Sequence, residues 1–140
     1  MNWLFFGILA MLSYGFYNFF VRLSAGKISP ALGAVILAVS SAIVATSFFL
    51  FLKLNGTQTT ITTPGIWWAI GAGVFAGLAE VLYFFMFAKG TNISIGLPLV
   101  VGGTILVGAV LGILVLHEKL SFIKLAGGVL TVLGIVLLVR

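Results

Sequence analysis

The sequence predicts an all-α polytopic membrane protein of five transmembrane helices with almost no soluble part. Three observations carry this expectation. Of the 140 residues, 62% are hydrophobic and only 6% charged, where a soluble domain carries about 25% charge. Mean hydropathy is +1.35. The apolar residues form runs of about 20, the length that crosses a hydrocarbon core about 30 Å thick. So few charged side chains cannot cover a water-exposed surface, and in lipid a helix satisfies its own backbone groups.

Helix 1 is expected near 3–23. The start, Met1-Asn2-Trp3-Leu4, lacks a basic segment, and the run is longer than a signal-peptide core of roughly 7–15 residues. It reads as a retained helix. Helix 2 is expected near 30–52, because Ser29-Pro30 pairs an N-cap with proline at the first helical position. Thr63-Pro64 repeats that device before helix 3, near 65–88. Trp67 and Trp68 then fall at an interfacial aromatic belt. Asn92 caps helix 4, near 93–116, and Ser121 caps helix 5, near 122–139. The one long polar segment, 53–63, is threonine-rich and reads as a surface loop. The other connections are short, so successive helices are antiparallel neighbours. A single domain over 1–140 is expected, with no internal repeat.

Alternating helices place Lys53, Lys119 and Lys124 on one membrane side and Arg22, Lys27, Lys89 and Arg140 on the other. Basic bias normally sets orientation, and here it nearly vanishes. Insertion in both directions and a single orientation set by a weak bias both remain open.

Other function classes fit poorly. The +5 charge is scattered singly between apolar runs, so no basic stripe follows a nucleic-acid backbone. There is no cysteine and one histidine, which falls short of a zinc site at His117-Glu118-Lys119. No phosphate loop, dinucleotide fingerprint or catalytic triad appears. Neither a cofactor nor an enzymatic activity is expected.

Glu80 is the sharpest feature. It lies beyond the middle of helix 3, roughly 4–5 Å from the bilayer centre at about 1.5 Å per residue. A charged carboxylate there costs about 2.5–3.5 kcal/mol on insertion scales. Either a partner offsets that cost or the carboxyl is protonated. Helical spacing gives Glu80 the neighbours Gly73, Ala76, Gly77, Tyr83 and Phe84. Small residues let helices approach closely and leave room for a cavity. Helix 1 enters in the same direction, and its Tyr14, Tyr17 and Asn18 lie at similar depth. These residues form a candidate polar and aromatic pocket with Glu80 as a proton or cation site. A structural carboxyl that only fixes helix packing is the other reading.

Helix 4 opens with Gly96-Leu97-Pro98 and continues through Gly102-Gly103-Thr104. Proline removes a backbone donor and glycine is a poor helix former. Carriers use interrupted helices at their binding sites, where freed backbone groups face solute. Pro98 and Thr104 are therefore candidate solute contacts, with a simple kink as the alternative. Gly73 with Gly77, and Gly108 with Gly112, are small-xxx-small pairs and read as packing surfaces.

The back third carries a resemblance. Gly96-Leu97-Pro98-Leu99, a Gly-rich helix, Leu116-His117-Glu118-Lys119-Leu120-Ser121, and the run from Ala126-Gly127-Gly128 to Gly134 resemble the end of an EamA-type unit of the drug/metabolite transporter superfamily. In that unit a Gly-Glu-x-Leu-Ser-like turn joins a Pro-containing fourth helix to a Gly-rich last helix. Here His117 replaces the usual glycine. Tyr14-Gly15 and Ser29-Pro30-Ala31-Leu32 match the front half more loosely. The resemblance implies a half-transporter, because most members look like two fused five-helix units of opposite orientation around a solute pathway. A second, inverted copy would complete the pathway, which the near-balanced Lys and Arg count also fits. The expected partners are the lipid bilayer, a small-molecule solute and an antiparallel homodimer partner. A non-transporting subunit of a larger complex and a lipid flippase-like component are the alternatives.

Overall fold

The computed structural model describes residues 3–117 and 121–139, the side chains at 124, 125 and 139 excepted. It contains five α-helices: α1 Trp3–Ser24, α2 Pro30–Leu54, α3 Thr63–Ala88, α4 Ile93–Leu114 and α5 Phe122–Val139. No strand occurs among the described residues. Among the described residues, four helices, α1 to α4, are long and apolar enough to cross a membrane, and α5 offers a shorter apolar stretch, Ala126–Leu138.

The boundaries follow local chemistry. α3 starts earlier than expected, because Thr62 rather than Thr63 is its N-cap and accepts a hydrogen bond from the Gly65 backbone N–H at 3.3 Å. Pro64 then sits in the first turn, where a missing donor costs nothing. Ser29 and Asn92 are the N-caps of α2 and α4, but neither side chain bonds to the helix. α2 runs on to Leu54 and shortens the polar loop. α4 ends at Leu114, before the expected 116, with Val115 as its C-cap. Gly26 and Gly90 take positive φ values of 80° and 91° in the turns after α1 and α3, a conformation glycine adopts without a β-carbon clash.

The chain forms two compact units. In the unit Phe20–Gly90, α2 packs on α3. The core lies at one end, where the last turn of α1 and the start of α2 meet the end of α3. Val21, Ala25, Ala34, Tyr83, Phe84 and Phe87 are buried there. Gly33 provides a hole for the Phe84 ring: a β-carbon at residue 33 would stand 2.6 Å from Phe84 Cε1. Tyr83 meets Phe87 edge-on at 4.8 Å between ring centroids. Beyond this end every side chain described from 38 to 70 is exposed. Those side chains include Val39, Ile43, Phe48, Trp67 and Trp68, whose natural surroundings are lipid and its interface.

The other unit comprises Met1–Phe19 and Thr91–Arg140. Here α4 packs on α5, again through a glycine hole. A β-carbon at Gly102 would overlap the end of the Ile135 side chain. Gly96 and Gly112 are buried along the same helix. In lipid there is no hydrophobic drive between helices, so such close backbone approach supplies the dispersion contact that joins them.

Candidate functional site

Glu80 stands on α3, whose midpoint shifts with its earlier start. The carboxyl is about 7 Å past the middle of the helix and about 12 Å before its end, at about 1.5 Å per residue. It is half-buried. Tyr83, one turn further on, is buried against Phe87. One turn earlier the surface is bare. β-carbons at Gly73 and Gly77 would meet nothing within 4 Å, and Ala76 between them is exposed. Within its unit, Glu80 therefore marks the boundary between a packed aromatic end and an open small-residue face.

The α1 residues belong to the other unit. Asn18 is buried, and its side-chain Nδ2 donates to the Tyr14 carbonyl oxygen at 2.6 Å. Part of its polar capacity is thus committed to its own helix. The Tyr14 ring is 67% exposed and meets Tyr17 edge-on at 5.9 Å. Tyr14 and Asn18 share helical spacing yet differ sharply in exposure. Their link is a backbone carbonyl rather than the phenol.

On α4, Pro98 lies inside the helix and is half-buried. Proline has no N–H to give the carbonyl four residues back, so the Ser94 carbonyl loses its usual donor. Thr104 is exposed and donates its hydroxyl to the Val101 carbonyl at 2.8 Å, which leaves its oxygen as an acceptor. Gly108 has open space where a β-carbon would be, whereas Gly112 is buried. Of the two small-residue pairs, Gly73 with Gly77 is uncovered within its unit and Gly108 with Gly112 is split.

One arrangement was not foreseen from the sequence. Arg22 reads as a membrane-end anchor, but its guanidinium carbon lies 5.9 Å from the centroid of the Phe87 ring, a cation–π geometry. The available signal was a basic residue ending α1 and an aromatic run, Tyr83-Phe84-Phe85-Met86-Phe87, ending α3. Of the expected His117-Glu118-Lys119 turn, only His117 lies among the described residues. Its backbone has φ 54°, in the left-handed region. No group of three or more potential metal ligands occurs among the described residues.

Long apolar helices, outward-facing lipid-compatible side chains and an acid set within one span define a multi-pass protein of the cell membrane. The EamA-like transporter family model matches residues 1–140, and the chain belongs to that family. It is therefore a membrane transporter of the drug/metabolite superfamily, whose members are transporters rather than enzymes. No curated protein and no solved structure matches it.

Proposed function

We propose that this transporter carries small metabolites or drug-like solutes by alternating access, as an antiparallel homodimer, with Glu80 exchanging a proton or a cationic solute. The observation that carries this reading is Glu80 beside the bare face of Gly73, Ala76 and Gly77. An acid inside an apolar span is costly to insert, and an open face beside it leaves room for a ligand. A proton and a cation compete for one carboxylate, so binding one releases the other. That competition couples their movement when the unit rocks between two open states.

In this reading Tyr83, one helical turn from Glu80 on α3, supplies a polar and aromatic contact within the same unit. Taken by itself, the other unit offers the Ser94 carbonyl freed by Pro98 and the Thr104 oxygen as acceptors on α4. A second unit of opposite orientation completes the pathway. The balance of Lys53, Lys119 and Lys124 against Arg22, Lys27, Lys89 and Arg140 supports insertion in both directions.

Glu80→Gln tests the coupling. It should assemble normally but lose pH-dependent transport in proteoliposomes. Unchanged transport at every pH would remove Glu80 from the mechanism. Paired C-terminal reporters, active on opposite membrane sides, test the dimer. Signal on both sides is expected, and signal on one side only would exclude the inverted homodimer.

A further inference from the structure

The packed end of the Phe20–Gly90 unit carries three basic residues, and the one acid within that unit's sequence is Glu80. Arg22 sits in the last turn of α1, held over Phe87. Lys89 is the C-cap of α3, two residues after Phe87. Lys27 lies in the turn between α1 and α2, its N–H bonded to the Ser24 carbonyl at 3.0 Å. Lys27 and Lys89 are exposed and Arg22 is half-buried. The chain has only two acidic residues, Glu80 and Glu118. Glu80 lies about 13 Å from Lys89 along α3 at about 1.5 Å per residue. Glu118 lies outside the described residues. Three like charges at one membrane face repel one another unless a countercharge comes from outside the chain.

The same end is apolar on its flanks. Phe20, Leu23 and Phe85 are all exposed large side chains. A soluble anion matches the charges but not these flanks. We propose that this end docks an anionic phospholipid, with the headgroup phosphate held by Arg22, Lys27 and Lys89 and the acyl chains lying along Phe20, Leu23 and Phe85. The Phe87 ring restrains the guanidinium, whose planar fork suits phosphate oxygens.

The test uses the full chain in nanodiscs of phosphatidylcholine with and without phosphatidylglycerol. Lipid preference is read by competition and native mass spectrometry. Arg22 stays in place because it packs on Phe87. The double variant Lys27→Gln/Lys89→Gln removes two charges, each worth about fivefold in anionic-lipid binding, so it should lower the phosphatidylglycerol preference by ~25-fold at low salt. Lys53→Gln, at the opposite end of α2, should keep the wild-type preference. Equal retention of both lipids by the wild type would overturn the proposal. So would an equal loss in Lys53→Gln. Inorganic phosphate added to pure phosphatidylcholine discs should not raise the unfolding temperature, and a rise matching that from phosphatidylglycerol would overturn the assignment to lipid.

Discussion

The Phe84 ring of α3 lies against the backbone of Gly33 in α2, so close that a β-carbon on residue 33 would stand 2.6 Å from Cε1 and 2.8 Å from Cδ1. Phe84 is 3% exposed, so the ring has nowhere to retreat. This contact joins the start of one helix to the end of the next and explains why the α2–α3 hairpin is tight at that end.

Gly33→Ala should therefore destabilise the protein by about 1–3 kcal/mol, the range for overpacking a filled site. Phe84→Leu in the same chain should recover part of that loss, a coupling that unfolding in detergent by a double-mutant cycle would reveal. Additive effects would mean the two residues do not meet.

Gly102→Ala should cost less than Gly33→Ala, although its β-carbon also overlaps a neighbour. The obstacle is the end of the Ile135 side chain, which is half-buried and can change rotamer. A rotamer shift costs of order 0.5–1.5 kcal/mol. Comparing the two variants in one denaturation series decides it, and the reverse order would count against this account.

Tyr83 separates packing from polar chemistry. Its ring meets Phe87 edge-on, and the residue stands one helical turn from Glu80 on α3. Tyr83→Phe should keep the ring packing on Phe87, destabilise far less than Tyr83→Ala, and alter transport. Tyr83→Ala should cost about 3–5 kcal/mol, as for removal of a buried aromatic ring. Normal transport in Tyr83→Phe would assign the tyrosine to packing alone.

His117 occupies a left-handed backbone position, φ 54°, where a side chain costs roughly 1–2 kcal/mol and glycine costs little. Against the entropy glycine loses on folding, His117→Gly should still stabilise the protein by roughly 0.5–1 kcal/mol. A higher unfolding temperature at unchanged topology is the expected result. No gain, or a loss, would mean that the imidazole makes a compensating interaction.

Hydropathy and punctuation in the sequence determined the five helices, the membrane setting and the family. They are read from one residue at a time or from short windows: Pro30 and Pro64 start helices, and runs of about 20 apolar residues span lipid. Glu80 was legible for the same reason, since an acid inside such a run stands out without any neighbour being known. The tertiary structure alone decided which small residues are holes and which are open. Gly33 and Gly102 receive Phe84 and Ile135, while Gly73 and Gly77 receive nothing within their unit. Equal spacing cannot distinguish them, because whether a glycine is filled depends on the partner helix. It also decided that Asn18 turns onto the Tyr14 carbonyl and that Arg22 rests on Phe87. Those contacts depend on rotamers and on segments distant in the chain, and no local pattern encodes either. The five-helix prediction stands, with one unit tightly packed at a basic, aromatic end and bare beside its only described acid.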